Sequence, residues 1–344
     1  VAFAIYPIAK SMFQAADIPK RLIPGAIALG SFTFTMTALP GTPSIQNAIP
    51  IPYFGTNVFA APGIGTISGL VMFGLGAMWL QSRANKAQSK GEGYGVDTQE
   101  SEKLIDGVTS QGHMPVLLAL LPLLLVIGVN ALFTYAIFPS VDFSNLKELY
   151  PKLEPAKQTG LWSLIIALVV ACLSLILFRL GKWNNLKETV NKGVLGSMLP
   201  IFNTASEVGY GAVVASLAGF VVIRDMVLNV SSNPLVSEAV AMNVLAGITG
   251  SSSGGMSIAL QTLGGDYLAM ANAAGISPEL LHRIAALAAG CLDTLPHSGA
   301  VITLLAICGM THKQSYGNVA MCTVVIPMVS VTVAITLGTV FGSF

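Results

Sequence analysis

Two acidic side chains lie in apolar parts of this sequence, where a carboxylate is unfavourable. Glu207 belongs to the stretch PIFNTASEVGYG (200–211), and Asp293 belongs to CLDTLPHSGAV (291–301). A charge at the centre of a bilayer costs about 2.5–3.5 kcal/mol on insertion scales, so an acid in such a setting is by default a candidate for function. We predict that Glu207 or Asp293 binds and releases a proton. For Asp293 the alternative is a purely structural helix cap.

Polar and small residues accompany these acids wherever an apolar run is interrupted. The candidate ligand-binding residues are Thr42, Ser44, Gln46 and Asn47 at the first interruption, Asn203 at the second (with Thr204 and Ser206), Ser251, Ser252, Ser253, Gly254 and Gly255 at the third, and Thr294, His297 and Ser298 at the fourth. Helix ends exposed by such breaks leave free N–H groups that attract anions, and glycine lets the backbone approach a ligand closely. Because permanent positive charge is scarce among them, we predict an anion held by backbone amides, hydroxyls and carboxamides, with His297 contributing when protonated.

Structural interpretations compete with these functional ones. The SSSGG stretch (251–255) is compatible with tight packing of small residues between helices, and His297 is compatible with a hydrogen-bonded residue at a break. His282 and Arg283 are interpreted as a pair whose polar ends reach the membrane surface. The cysteines at 172, 291, 308 and 322 lie in apolar segments and predict small buried side chains rather than metal ligands. No cofactor and no metal are predicted.

The composition places all of these residues in a membrane protein. The chain is 53% hydrophobic and 10% charged, whereas soluble domains carry about 25% charged residues. We therefore predict an all-α polytopic membrane protein with broken transmembrane helices and re-entrant hairpins. The net charge of +1 gives no reason to expect a nucleic-acid partner.

Hydropathy predicts four parts along the chain. Residues 1–81 form first-repeat membrane segments with a broken helix at 38–50, 82–113 form a polar cytoplasmic loop, 114–181 hold two clean spans of a scaffold, and 182–344 form a second-repeat membrane domain with breaks at 200–211, 247–257 and 291–301. The loop is placed inside because lysine and arginine are enriched in cytoplasmic loops. The opening VAFAIYPIAK, with neither Met nor a basic start, predicts a fragment that lacks earlier membrane segments.

Two interruptions are similar to each other. TALPGTPS (37–44) and DTLPHSGA (293–300) share Leu-Pro and small residues in the same order. An inverted or parallel repeat would explain this, and paired broken helices in two halves point to a transporter's binding site. Chance similarity between two short breaks is the alternative.

The stretches YPIAKSMFQAADIPKRLIPGAIALGSFTFTMTALPGTPSIQNAIP (6–50) and CLDTLPHSGAVITLLAICG (291–309) resemble the gluconate permease family of the ion-transporter superfamily. The resemblance covers nearly the whole chain, and LPHSG (295–299) is its most specific part. It implies a symporter of the bacterial inner membrane that takes up small hydroxycarboxylates with protons. It further implies a scaffold domain, a transport domain with re-entrant hairpins, and a possible homodimer.

The first interruption departs from the gluconate branch of that family. It is LPGTPS (39–44), where that branch typically has PPHPGP. Without this histidine the chain is more similar to the members called 3-hydroxybutyrate permeases. A shorter acid with one hydroxyl needs fewer polar partners than a polyol chain, so hydroxybutyrate ranks slightly above gluconate as the expected substrate.

Two other classes of function are weighed against a carrier. A passive anion channel would favour rings of charge or repeated carbonyl motifs, and apart from the short similarity of 37–44 to 293–300 the interruptions of this single chain are dissimilar in sequence. A membrane-embedded enzyme would need a nucleophile and base brought together from distant interruptions, and the sequence contains no HExxH. We therefore predict a secondary active transporter rather than an enzyme.

Overall fold

The computed structural model describes residues 2–95, 116–150, 155–178 and 185–344. Within these ranges the chain is helical and contains no strand. In the described ranges, four helical stretches are long and apolar enough to cross a membrane, namely Pro62–Gln88, Leu120–Ser140, Gln158–Phe178 and His312–Phe341. The prediction of an all-α polytopic membrane protein is therefore confirmed.

The first part of the chain consists of short helices followed by one long helix. In order these are α1 (Ala2–Ala15), α2 (Ile23–Ser31), α3 (Phe34–Thr37), α4 (Ile45–Ala48), α5 (Ile51–Phe54) and α6 (Pro62–Gln88), with a 3₁₀ turn at Lys20–Leu22. The backbone is not helical at 38–44, within the first predicted interruption. The predicted polar loop at 82–113 begins too early, because α6 continues to Gln88, and its later part, from residue 96, lies outside the described residues.

The middle and second part contain the longer helices. In order these are α7 (Val116–Leu132), α8 (Ser144–Leu149), α9 (Pro155–Phe178), α10 (Leu186–Ser216), α11 (Ala218–Leu228), α12 (Pro234–Thr249), α13 (Ser252–Ala273), α14 (Pro278–Ala289), α15 (Gly299–Cys308), α16 (His312–Ala320) and α17 (Ile326–Phe341). A π-helical turn at Phe133–Ile137 and a 3₁₀ turn at Phe138–Ser140 extend α7, and a π-helical turn at Met321–Val325 joins α16 to α17.

Local sequence explains the two interruptions in the second part. Helix α12 ends at Gly250, whose φ of +64° is a left-handed conformation that favours glycine. Ser251 then caps α13, because its hydroxyl accepts a hydrogen bond from the Gly254 N–H. Residues 290–298 are likewise not α-helical, and Ser298 directly precedes α15.

The predicted interruption at 200–211 is wrong, because α10 runs through it without a break. The polar residues of this stretch lie at positions 203, 204, 206, 207 and 210, and each has another of them three or four residues away. That spacing is typical of an amphipathic helix, and the dip in hydropathy reflects a polar stripe rather than a broken helix. The repeat relation between 1–81 and 182–344, and the scaffold role of 114–181, stay predictions.

The core of the molecule lies where α12, α13 and α14 pack on one another, with α17 against α14 and α6 against α17. Its buried side chains include Leu235, Met242, Met256, Leu260, Tyr267 and Ile284. Helices α12 and α13 approach closely at Gly255, where an added Cβ would lie 2.2 Å from the backbone nitrogen of Ala246. The glycine therefore sets the spacing of this helical hairpin.

We expect Gly255→Ala to destabilise the protein by about 1–3 kcal/mol, the usual range for overpacking a dense core. The measurement is the thermal unfolding temperature in detergent. Gly265→Ala is the matched control, since it lies on the same helix and its Cβ would meet nothing within 4 Å. Equal unfolding temperatures for the two variants would contradict this account of the hairpin.

Candidate functional site

Three interruptions meet through one buried series of polar contacts. The Gln46 side-chain amide donates to the Ser252 hydroxyl at 2.8 Å, and Ser252 interacts in turn with the Asp293 carboxyl group. All three side chains are buried. Residues more than 200 positions apart are therefore joined at a single point. The sequence analysis had placed candidate residues at these interruptions but had not identified this contact.

Asp293 is incompletely partnered at this junction. Its carboxylate interacts with Ser252, but its Oδ1 atom is buried and has no hydrogen-bond partner among the described residues. A buried acceptor without a partner is unfavourable by about 1–3 kcal/mol. A proton or the donor of a bound ligand would satisfy this oxygen, so the geometry favours a chemical role for Asp293 over a helix cap.

The remaining residues of the third interruption shape the backbone. Ser251 caps α13 and lies 3.2 Å from the Ser253 hydroxyl, and both side chains are partly exposed. Gly254 and Gly255 are buried. Of the SSSGG residues, Ser252 links to the first and fourth interruptions through its side chain, and Gly255 fits the packing interpretation.

The fourth interruption is attached to the third through side chains. His297 Nε2 lies 3.0 Å from the Gly247 carbonyl oxygen, and the Ser298 hydroxyl donates to the Gly250 carbonyl at 3.0 Å. These contacts satisfy carbonyls at the end of α12, where no helical N–H reaches them. Thr294 is also buried and donates to Thr323 at 2.7 Å. The three residues therefore position the break, as in the structural interpretation of His297.

The first interruption is held by carboxamide and hydroxyl groups. The Asn47 side-chain amide donates to the carbonyls of Thr42 and Val58 at 3.0 and 2.8 Å. The Thr42 hydroxyl donates to the Leu39 carbonyl, and that of Ser44 donates to the Met36 carbonyl. Thr42 and Ser44 stay partly exposed, so both hydroxyls remain able to accept from a ligand.

The candidate residues at 200–211 do not lie at a helix break, because α10 is continuous through this stretch. Asn203, Thr204 and Glu207 occupy the continuous helix α10, and the structure does not describe their side chains. Ser206 on the same helix is exposed. Helix α10 contacts α13, so the proposed roles of Asn203 and Glu207 stay predictions.

Arg283 is a residue whose role the sequence analysis missed. Its side chain is fully buried, so the interpretation as a membrane-surface pair with His282 is wrong. Its Nε and Nη2 atoms donate to the Ala60 carbonyl at 3.0 and 2.8 Å, Nη1 donates to Thr37 at 3.3 Å, and Nη2 also donates to Val58 at 3.3 Å. These carbonyls lie at the end of α3 and in the non-helical segment before α6, and five N–H donors on one planar group can bind several of them at once.

His282, the residue before Arg283 on α14, also contacts the first part of the chain. We call His282 and Arg283 together the α14 clamp. Its Nδ1 atom lies 2.6 Å from the Thr56 hydroxyl, and its Nε2 atom lies 3.2 Å from Asn47 Oδ1. Among the described residues no carboxylate pairs with Arg283. A buried cation on α14 therefore contacts the backbone beside the first interruption, where the sequence analysis did not place it.

Glu238 is a second residue that was missed. It lies in α12, its side chain is fully buried, and neither of its carboxyl oxygens has a hydrogen-bond partner among the described residues. The Tyr267 hydroxyl, close by, donates instead to the Ser237 carbonyl at 3.3 Å. The signal was present in the sequence, because Glu238 is the single acid in PLVSEAVAMNVLAG (234–247), and the rule applied to Asp293 also applies to it.

The arrangement is typical of a transport protein rather than of a metal centre. In the ranges that the structure describes, no three His, Cys, Asp or Glu side chains come together to hold a metal ion. Non-helical backbone at membrane depth is tolerated where it is buried in protein or lines a cavity, and broken helices joined at polar side chains are the usual binding sites of secondary transporters. Fold and site together define a multi-pass membrane transporter.

Comparison with known proteins agrees with this class. No protein-family profile matches the chain, and no solved structure matches it. The chain is 46% identical over 334 residues to the uncharacterized transporter YxjC of Bacillus subtilis (strain 168), an alignment that covers 93% of the chain and 70% of the relative. The chain belongs to the same transporter family as YxjC.

We expect Arg283→Met to lower the thermal unfolding temperature in detergent, because the Ala60 carbonyl loses both guanidinium donors and each buried unsatisfied group costs about 1–3 kcal/mol. Arg283→Lys should restore part of the loss, since an ammonium can satisfy one or two of the three carbonyls. Lys187→Met, at an exposed position on α10, is the control for removing a charge. Unchanged unfolding of the Arg283→Met variant would refute the clamp.

Proposed function

We propose that the chain is a secondary active transporter that takes up a small hydroxycarboxylate together with a proton. The observation that carries this proposal is the Gln46–Ser252–Asp293 link, which joins three interruptions at one buried point. The proposed location is the bacterial inner membrane, with a homodimer as the assembly that the gluconate permease resemblance implies. We assign no catalytic reaction to the site.

In this proposal the substrate carboxylate is bound near the first and third interruptions. Thr42, Ser44, Ser251 and Ser253 are partly exposed and carry hydroxyls. The N-terminus of the 22-residue helix α13 adds free N–H groups and a partial positive charge. The buried Arg283 guanidinium contacts the Thr37 carbonyl next to the first interruption. In this proposal its positive charge favours a bound anion without direct contact.

Asp293 is the proposed carrier of the coupled proton. Its unpartnered Oδ1 atom lies at the junction of the interruptions, so loading a proton there would alter the same hydrogen bonds that a substrate disturbs. Glu207 remains the second candidate from the sequence. Glu238 is a third candidate, because a buried acid without a partner in a membrane segment is a functional hypothesis by default.

The substrate class rests on the resemblance to the gluconate permease family and on the chemistry of the first interruption. Its donors are hydroxyls and carboxamides, with no histidine at 39–44. This sparse set suits a short acid with one hydroxyl better than a polyol chain. We rank 3-hydroxybutyrate slightly above a gluconate-type sugar acid.

We expect Asp293→Asn to abolish accumulation driven by a pH gradient in proteoliposomes, because asparagine cannot release a proton. Exchange of labelled substrate across the same membrane should persist, since this step needs no net proton movement. Wild-type protein with the gradient dissolved gives the reference level. Gradient-driven accumulation that survives in the variant would remove Asp293 from the coupling role, and wild-type uptake insensitive to the gradient would favour a passive anion channel.

Glu238→Gln is the matched comparison for that experiment, because glutamine keeps nearly the same size in the same kind of buried setting. If Asp293 carries the proton, this variant should retain pH-driven accumulation. The reverse pattern, with coupling lost in Glu238→Gln and kept in Asp293→Asn, would assign the proton to Glu238.

Competition uptake should distinguish the substrates. We expect unlabelled 3-hydroxybutyrate to inhibit uptake of its labelled form more strongly than gluconate does, by a modest factor of about two to ten, in line with the small discrimination of weakly polar pockets. Octanoate at the same concentration controls for nonspecific anion effects. A clear preference for gluconate would overturn the ranking and leave the coupling proposal intact.

A further inference from the structure

A basic cavity lies at the polar end of α6, and none of the residues that line it belongs to the interruptions. It has a volume of about 160 Å³ and is lined by Arg21, Arg83, Lys86, Ala87, Lys90 and Glu92. Four of these six residues are cationic and one is acidic. We define this set as the basic cavity. Its position at the end of a helix long enough to span a membrane places it at the height of lipid headgroups.

The walls of the basic cavity are fixed by contacts between two distant parts of the chain. The Tyr94 N–H donates to Asp17 Oδ1 at 2.8 Å, and the Lys20 N–H donates to the Tyr94 carbonyl at 3.1 Å. Gly93 lies so close to Asp17 that an added Cβ would be 2.5 Å from its carboxylate. The segment after α6 is therefore folded back onto the connection between α1 and α2.

The cavity has an excess of positive charge. Arg21 donates to both Glu92 oxygens at 2.6 and 2.8 Å, and these bonds, with the charges of Lys90 and Arg83, hold the pKa of Glu92 below its usual range. Glu92 is thus ionised at neutral pH and neutralises one cation. Among the described residues, Arg83, Lys86 and Lys90 have no carboxylate partner, so the lining retains a surplus of positive charge.

Arg83 is poised for an additional acceptor. Its Nε atom is buried and makes no hydrogen bond within the described part of the chain. The guanidinium carbon lies 5.6 Å from the centre of the Trp79 ring, which fixes the planar group from one side. Tryptophan is common at membrane interfaces, and a guanidinium with unused N–H groups matches phosphate oxygens.

An apolar groove continues from the basic cavity along the same seam between α6 and the α1–α2 region. It has a volume of about 140 Å³ and is lined by Phe13, Ile18, Leu22, Ala26, Ala77, Leu80, Gln81 and Ala84. Leu22 follows Arg21 in the chain, and Ala84 follows Arg83. The cationic and apolar linings are therefore adjacent on both walls of the seam.

We propose that this seam binds an anionic phospholipid, with its phosphate in the basic cavity and part of an acyl chain in the apolar groove. Basic pockets between membrane helices are suited to anionic headgroups. A free phosphate would use the cavity alone, whereas the adjoining groove matches a ligand that is both anionic and apolar. The site lies outside the residues assigned to the transported substrate.

The test is native mass spectrometry of the detergent-purified protein with phosphatidylglycerol and phosphatidylcholine of identical chains. We expect phosphatidylglycerol to be retained about tenfold better than phosphatidylcholine, and the double variant Lys86→Gln/Lys90→Gln to lose most of this preference, because each cation near the surface contributes to anionic-lipid binding. Both lysines are exposed, so the variant should fold. Lys187→Gln, an exposed charge removal on α10, should keep the preference.

Glu92→Gln should have the opposite effect to the double lysine variant. Removing this carboxylate releases Arg21 for the ligand, so retention of phosphatidylglycerol should rise. Equal retention of the two lipids by the wild type, or a preference unaffected by either the lysine or the Glu92 variant, would overturn the proposal.

Ala77→Phe tests the acyl part of the site. A larger side chain in the apolar groove should reduce retention of phosphatidylglycerol and leave binding of glycerol 3-phosphate, measured by competition, unchanged. If the variant retains the lipid as well as the wild type does, and glycerol 3-phosphate alone displaces it, the cavity binds a free phosphate and the lipid assignment is wrong.

Discussion

The structure depends on one constraint, which is that backbone carbonyls left unpaired inside a membrane protein must find donors from side chains. Arg283 donates to the carbonyls of Thr37, at the end of α3, and of Val58 and Ala60, which precede α6. Side chains after Asp293 do the same for the end of α12, where His297 and Ser298 contact Gly247 and Gly250. Without such donors, non-helical backbone at this depth would be strongly unfavourable. The polar residues at the breaks are therefore first of all a condition for folding.

This constraint also limits the number of polar groups at the candidate site that can still bind a ligand. Several polar side chains at the interruptions already have partners within the protein, because Asn47 and Ser298 donate to backbone carbonyls and Thr294 donates to the Thr323 hydroxyl. Groups with unused capacity are few, namely Asp293 Oδ1 and the partly exposed hydroxyls. A ligand must therefore be recognised by these few groups, which favours a small anion over a large polyhydroxylated one.

The sequence predicted the all-helical membrane fold and the helix interruptions within 38–50, 247–257 and 291–301. These could be predicted because proline, glycine and serine act locally on the backbone. It failed at 200–211, where polar residues at helical spacing resembled a break in hydropathy. It also failed at Arg283, since a cation near apolar residues is compatible with either a membrane surface or a buried clamp. The two environments are distinguished only by the carbonyls that Arg283 contacts, which lie more than 200 positions away in the chain. No local sequence pattern encodes such contacts.

The two buried acids Glu238 and Asp293 differ in what their protonation would change. Glu238 lies within α12 in the packed core, where a proton would alter charge but no contact between interruptions. Asp293 interacts with Ser252, whose hydroxyl accepts from Gln46. An ionised Asp293 can only accept, so the Ser252 hydroxyl must donate to it. A protonated Asp293 is itself a donor, and the Ser252 hydroxyl is then free to turn toward a bound anion. In the proposed mechanism, proton binding and anion binding therefore favour each other at the one point where three interruptions meet.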